Sequence, residues 1–450
     1  MEKEFTFYRK KILPTTIPIQ PGKKIELSSL DLLMENHHLK MVFYYKTPTV
    51  LPIGTLTTKL RILFAEVISY FPVITGRLIR NNDGKWMIKC NDAGIRIVEA
   101  IAKGSVETWL QNVDAEKEKK LIHWEDMYHI PYYWATFYVM VTEFEEGGMA
   151  IGLSCSHLLT DPFSATLLIK AWADRVLWGN ISIPPFFHPL PKRPVGFQKA
   201  HQQPNNHLIS HYKSILESPI TSPSTTQKSK TVAFEFSDHM VKTCINLAHL
   251  NCPTNGTYPS PFAPLVGILW VCISRVKGET RNGLVDMSMG LDMRKTLGLD
   301  KGYFGNCMIY TKVNGNGIGV DNPQLATKLT GEAIEKVNKE GIIDLVEWLD
   351  NCNNFPPPSS SDKGNLVFLN LENVDPYSAV FMDGYEPSRI SYYNESSIAE
   401  KGKILVLPSH PSEGKLSRIV MVTLPNNEAI KLCEDKLLAR FSPTIIMGAT

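Results

Sequence analysis

The chain has 450 residues, 43% hydrophobic and 20% charged, with a formal net charge of +2. That length predicts two or three domains, or two halves of one large unit, and the balanced charge with no long basic or acidic block gives no support to nucleic-acid binding. The charged start Met1-Glu2-Lys3-Glu4 lacks the apolar core of a signal peptide, and no apolar run approaches the ~20 residues that span a bilayer. A soluble intracellular protein is therefore expected, with peripheral attachment to a membrane or a membrane-bound partner left open. The eight cysteines (90, 155, 244, 252, 272, 307, 352 and 433) are scattered, with no C-x-x-C and no His/Cys cluster at metal-ligand spacing. They read as reduced thiols, mostly in the core, and no metal site is expected.

Phe5 to Thr16 alternates like a strand entering a Pro-containing turn, and Leu27 to Asp31 looks like the start of a helix or turn. Lys40 to Tyr45 is β-branched and aromatic, as strands are. Leu56, Leu60, Leu63, Phe64, Val67 and Phe71 form a helical stripe that Phe71-Pro-Val-Ile-Thr-Gly76-Arg77 interrupts. Lys85–Lys89 and Ile95–Ala100 read as strands about a turn at Asn91–Gly94. Trp134–Phe144 and the apolar run Met149–Leu153, joined by Glu145-Glu-Gly-Gly148, predict a hairpin.

The second hairpin strand runs into Ser154-Cys-Ser-His157-Leu-Leu-Thr-Asp161-Pro162, after which Phe163, Leu167, Leu168, Ala171, Trp172 and Val176 recur at helical spacing. Proline at the first helical position forfeits no hydrogen bond. His157 and Asp161 thus stand on a turn between a buried strand and a helix. Histidine titrates near neutrality and can take and return a proton within one turnover. By local pattern alone, a hydrogen-bonded core histidine and a helix-capping aspartate outweigh that catalytic reading. Cys155, two residues away, offers a Cys/His pair, but its place at the end of an apolar run favours a buried strand residue.

Residues 181–230 are rich in Pro, Ser, His, Gln and Lys with little apolar periodicity, and are expected to connect two halves, 1–180 and 231–450, with one short helix near Leu208–Leu216. Beyond them Val232, Phe234 and Phe236 alternate as a strand, and Ser237 or Asp238 can cap a helix through Leu250. A helix over Phe262–Val276, strands over Leu284–Leu291 and Met308–Val313, and a helix opened by Asn322-Pro323 follow. Phe355–Ser361 reads as a loop, Asn365–Leu371, Lys403–Leu407 and Arg418–Leu424 as strands, and Asn426–Phe441 as the last helix. Strands and helices interleave in both halves. The expected fold class is α/β (α+β), two similar halves whose interface would be a common place for a ligand site.

Five stretches carry a family resemblance: Ser28-Ser-Leu-Asp31 with Val42-Phe-Tyr-Tyr45, Phe71-Pro-Val-Ile-Thr-Gly-Arg77, Cys90–Gly94 through Val98-Glu-Ala100, His157-Leu-Leu-Thr-Asp161 and Tyr303-Phe-Gly-Asn306. In this order and spacing, nearly end to end, the chain resembles a plant BAHD acyltransferase, of the fold shared with chloramphenicol acetyltransferase. The stretches Asn91–Ala100 and Asn365–Pro387 are most similar to the eceriferum (cuticular-wax) branch. The resemblance implies two chloramphenicol-acetyltransferase-like halves, mixed sheets flanked by helices and an active-site channel at their interface. The N-terminal half would carry HxxxD, and the C-terminal half YFGN and a degenerate DFGWG. It implies no permanently bound cofactor, an acyl-CoA co-substrate and a monomeric cytoplasmic enzyme.

On that resemblance His157 is the general base. It deprotonates a hydroxyl of a plant specialised metabolite such as a terpenoid, which attacks the acyl-CoA thioester, acetyl-CoA first among candidates. Asp161 points away from substrate and pairs with an arginine, matched here by Arg294 of Asp292-Met-Arg294. Tyr303, Phe304, Gly305, Asn306 and Ser260 would lie near the CoA channel. Two positions depart from the family pattern. Pro162 replaces the glycine after HxxxD. The DFGWG stretch becomes Phe381-Met-Asp-Gly-Tyr385-Glu386, with Phe381 at the motif's aspartate and Asp383 the nearest carboxylate, hence a second catalytic candidate. The degenerate motif implies an alternative: a non-catalytic eceriferum-like accessory protein of very-long-chain fatty acid elongation, peripheral to the endoplasmic reticulum, partnered by a membrane-bound condensing enzyme.

Overall fold

The computed structural model describes all residues except 1–3, 21, 47–51, 128, 194–205, 218–227, 250–259, 279–282, 353–365, 397–401 and 449–450. The expected loop at Phe355–Ser361 and the expected helix end at Leu250 lie outside the described residues. The chain divides into two compact units. The first comprises residues 1–190, 299–307 and 375–397, and the second 191–298, 308–374 and 398–450. Where the sequence reading draws contiguous halves, two stretches of the second half are thus built into the first unit.

The first unit is organised on a six-stranded sheet in the order Phe5–Leu13, Ile95–Ala102, Phe137–Phe144, Met149–Ser156, His37–Tyr45, Arg389–Ser396. All neighbours are antiparallel except the pair Ile95–Ala102 and Phe137–Phe144. The expected hairpin is present, with Val141 opposite Ile151. Because side chains alternate across a sheet, this register sorts them into two faces. One carries Phe43, Ile151 and Val141 in one row and Leu39, Cys155 and Phe137 in another. Against it lie the helices Thr55–Val67 and Pro162–Trp178: Trp172 stacks on Phe64 at 4.2 Å and donates its indole N–H to Leu60 O at 3.0 Å.

The opposite face is unusually polar for buried surface, bearing Tyr138, Ser154, Lys40 and Tyr393 in one row. Residues 118–125 cover it with hydrogen-bonding groups: Ser154 donates to His123 O and Tyr138 to Glu125 O. Gly152 is required there, since a Cβ would stand 2.0 Å from Leu121 O. Glu118, fully buried, accepts from the hydroxyls of Tyr44 and Ser391, both at 2.9 Å, and from that of Tyr393. A buried carboxylate is tolerable only when so satisfied. The network fastens Arg389–Ser396, a strand the sequence reading did not anticipate, to His37–Tyr45. A three-stranded sheet, Lys24–Glu26, Trp86–Lys89, Arg77–Arg80, completes this unit.

The second unit holds a seven-stranded mixed sheet: Met308–Val313, Met287–Asp292, Leu366–Asn370, Lys403–Pro408, Arg418–Pro425, Ser229–Phe236, Thr444–Met447. Met287–Asp292, Leu366–Asn370 and Lys403–Pro408 are parallel neighbours. Parallel pairs need long crossovers, and between the first two strands the chain forms the helices Pro323–Glu335 and Lys339–Asp350. The latter was not expected from sequence. Its acidic face is tied by Arg193, whose guanidinium reaches Asp344 at 2.5 Å and Glu347 at 2.7 Å. Phe262–Lys277 is a helix with every residue from Phe262 to Ser274 buried. At Gly267 a Cβ would meet Thr327 Oγ1 at 2.2 Å, so only glycine lets the helix Pro323–Glu335 approach. The expected final helix is two short ones, Asn426–Cys433 and Lys436–Ala439.

Candidate active site

His157 is the first residue past the strand Met149–Ser156, and its N–H continues the ladder by donating to His37 O at 2.9 Å. Asp161 caps the following helix, accepting the Ser164 N–H at 2.9 Å on Oδ1. Its backbone (φ −97°, ψ 176°) is extended, the conformation a following proline favours. Pro162 therefore suits the turn: it pre-sets both the cap and the first helical residue.

Residues 303–307 belong to the same compact unit and lie along this turn. Asp161 Oδ2 accepts the Cys307 N–H at 2.9 Å. Ser164 Oγ donates to Gly305 O at 3.0 Å and accepts from Gly305 N at 3.1 Å. Asp161 is thereby a cap and a clamp, fully buried. Tyr303 and Phe304 are buried as well, Phe304 edge-on to Phe71 at 5.2 Å and Tyr303 against the His188 ring at 5.3 Å. The Phe71-Pro stretch thus packs against Phe304.

The decisive contact is between Asn306 and His157. Asn306 Oδ1 lies 2.8 Å from His157 Nδ1. The amide orientation follows from its other end: Nδ2 donates to His157 O at 2.7 Å and to Asp31 Oδ1 at 2.8 Å, and both are acceptors. Oδ1 must therefore face the imidazole, and Nδ1 carries the proton. In the neutral ring the lone pair then resides on Nε2. Asn306 and His157 are both fully buried, and His37 meets the His157 ring edge-on at 6.3 Å.

Asp31 is the residue that sequence reasoning left without a role. Its Oδ1 also accepts the Asn306 backbone N–H at 2.9 Å, and its Oδ2 accepts from Ser28 N at 2.8 Å and Ser28 Oγ at 2.7 Å. Burial pushes its carboxyl above the ordinary range, against the pull of these four donors. The spacing Ser28-x-x-Asp31 is that of a capping box, the signal that could have singled it out.

The remaining candidates are placed elsewhere. Asp383 stands exposed at the tip of a tight turn, closed by Tyr385 N donating to Met382 O at 2.9 Å, and is not among the residues joined to His157. Phe381, at the position of the family's motif aspartate, is buried edge-on to Trp172 (4.9 Å) and Tyr45 (5.5 Å). In the second unit Arg294 pairs with Asp292 at 2.6 Å, and Ser260 Oγ accepts the Phe262 N–H at 3.2 Å. Cys155 is fully buried, and burial raises its thiol far above the usual value, which argues against a thiolate nucleophile. Arg77 donates to the carbonyls of Gly76, Ala93 and Gly94, binding one family-like stretch to the next. Burial and nearby Arg96 lower its guanidinium to about 10. No helix among the described residues is long and apolar enough to cross a membrane.

Comparison with known proteins agrees with this architecture. The chain is 27% identical to "Protein ECERIFERUM 26-like" of Arabidopsis thaliana over 426 residues, covering 94% of this chain and 93% of that protein. Its fold is that of vinorine synthase (TM-score 0.72, 16% identity, 98% and 99% of the two chains). It is equally that of F. sporotrichioides TRI101 complexed with coenzyme A and T-2 (TM-score 0.72, 14% identity, 94% and 100%). A family model described as "Transferase family" matches residues 3–437. With a match of that extent and His157, Asp161 and Asn306 joined in one buried constellation, the chain belongs to the Transferase family, the BAHD acyltransferases.

Proposed function

We propose that the protein is an acyl-CoA-dependent O-acyltransferase with His157 as general base. The observation that carries this reading is the Asn306–His157 hydrogen bond, which assigns the proton to Nδ1 and the lone pair to Nε2. Nε2 takes the proton of an acceptor hydroxyl as its oxygen attacks the thioester carbonyl. The tetrahedral intermediate collapses by breaking the C–S bond, and His157 returns the proton to the departing CoA sulfur. Atoms balance as an ester and free coenzyme A, with no covalent acyl-enzyme. General-base help is worth about 10²–10⁴ in rate.

The acyl group is proposed to be acetyl and the acceptor a hydroxyl of a plant specialised metabolite such as a terpenoid. The protein acts as a cytoplasmic monomer. Tyr303, Phe304, Gly305, Asn306 and Ser260 are assigned to CoA binding, and Arg294 to a structural role, on family resemblance. Asp383, exposed at its turn, takes no part in the proton transfer.

The test is incubation with acetyl-CoA and longer acyl-CoAs against a panel of alcohols, reading free thiol and ester product. His157→Ala is expected to fold and to lose transfer. A folded variant with full activity would sink the mechanism.

A second reading has its own support in Phe381 replacing the motif aspartate and in the similarity to an ECERIFERUM 26-like protein. The protein would then assist very-long-chain elongation without transferring acyl groups, beside a membrane-bound condensing enzyme. Full restoration of long-chain wax by His157→Ala in a plant lacking the accessory protein would decide for it.

A further inference from the structure

Among the residues around His157, Asp31 is the one whose position makes no sense as a helix cap alone. One of its carboxylate oxygens completes a capping box with Ser28. The other is spent wholly on Asn306, taking both its backbone N–H and its side-chain N–H, across 275 positions of sequence. Asn306 in turn spends its Oδ1 on His157 Nδ1. A buried carboxylate with no cation among its hydrogen-bond partners is costly, so a structure that keeps one has it satisfied by fixed donors. Here two of the four donors belong to the residue that touches the imidazole.

We propose that Asp31 is a positioning residue for the His157 chemistry, acting through Asn306. By holding the Asn306 main chain and amide together it keeps Oδ1 on Nδ1–H, and so keeps the lone pair on Nε2 at a fixed place. The inference rests on the reading of His157 as base for its kinetic consequence, though the tautomer it sets exists whether or not the protein turns over. It places the Ser28–Asp31 turn, 275 positions before Asn306 in the sequence, inside the machinery of proton transfer.

The experiment is a double-mutant cycle with a spectroscopic arm. Asp31→Ala is expected to lower kcat about a hundredfold, as a small misplacement of a catalytic group does, with KM for acetyl-CoA within about twofold. Asn306→Ala should do the same, and the double variant should fall no lower than Asn306→Ala alone. Asp31→Asn, which keeps one oxygen for the Asn306 backbone N–H, should recover part of the loss, and it carries the cycle if Asp31→Ala does not fold. A merely structural Asp31 would give additive losses, and that result overturns the proposal.

In the second arm, the protein is labelled with ¹⁵N-histidine and the His157 signals are assigned with His157→Gln. The wild type should show Nδ1 protonated and Nε2 unprotonated, and the Asp31 variant a mixture of tautomers. An unchanged His157 spectrum in the Asp31 variant overturns the proposal. This arm decides even if no acyl-CoA is consumed, so failure of the enzymatic reading and failure of this inference are told apart.

Discussion

At the scale of single residues, the site is defined by which atom holds a proton. Asn306 has one acceptor and one donor end, and each is matched to its surroundings. Asn306→Asp tests this directly. The new oxygen would face Asp31 Oδ1 and His157 O, two acceptors, in place of the NH2 group that now donates to both. The expected cost is about 1–3 kcal/mol for the buried groups left unsatisfied, read by urea denaturation, together with lost transfer. Asn306→Asp with wild-type stability would show that the amide does not lie as described. Asp383 gives the complementary expectation: exposed at a turn, its replacement by Ala should leave stability within about 0.5 kcal/mol and transfer unchanged, and a large drop in kcat would return it to the site.

At the scale of elements, the HxxxD turn is held from three sides: the strand ladder through His157 N–H, the helix cap at Ser164, and the Cys307 N–H on Asp161. Pro162 belongs to this device, since it restricts Asp161 to the extended backbone the cap requires. Pro162→Gly, the family's residue, is expected to lower stability by roughly 0.4–1 kcal/mol through a looser unfolded chain, visible as a lower Tm, while kcat stays near wild type. A rise in Tm would mean that the proline is strained at this turn. The degenerate motif stretch obeys the same logic of support. Phe381 joins Trp172, Phe64 and Tyr45 in one aromatic cluster, and Tyr45 Oη donates to Ala379 O at 2.9 Å. The stretch is thus seated by apolar packing where the family has a carboxylate. Phe381→Ala should cost about 3–5 kcal/mol, and calorimetry that finds less than 1 would contradict that seat.

At the scale of the whole molecule, stability should fall on mild acidification. His38 lies on the polar face of the six-stranded sheet, its ring 4.7 Å from Trp124. Burial and the charge of Lys40, with a small contribution from His157, lower its pKa to about 4, against the opposite pull of Asp126 and Glu395. The unfolded chain therefore binds a proton that the folded one refuses. The stability linked to His38 is complete above its ordinary value of 6.5 and is lost as pH falls from there toward 4. Tm should drop across that interval, by about 1 °C for each kcal/mol lost in a chain of 450 residues. In His38→Asn the drop should be smaller. Equal slopes in both proteins would assign the acid sensitivity elsewhere.

Much of this molecule was legible in its sequence, and the reason is local. Helices and strands announce themselves by periods of 3.6 and 2, so Thr55–Val67, the hairpin 137–156 and Pro162–Trp178 could be read directly. So could His157 and Asp161, because they sit beside the strand end and the proline that frame them. Other features have no local signature. Arg389–Ser396 mixes Arg, Ser, Tyr and Asn because one side of it faces a polar, buried layer, and only its pairing with His37–Tyr45 makes it a strand. Chain pairing also decided the partners of His157. Asn306 stands 149 positions away and Asp31 lies 275 from Asn306. The sequence by itself determined most of the elements and the catalytic candidate His157, whereas hydrogen-bond geometry between distant stretches, decided only by tertiary structure, assigns the proton on the imidazole and brings Asp31 into the site.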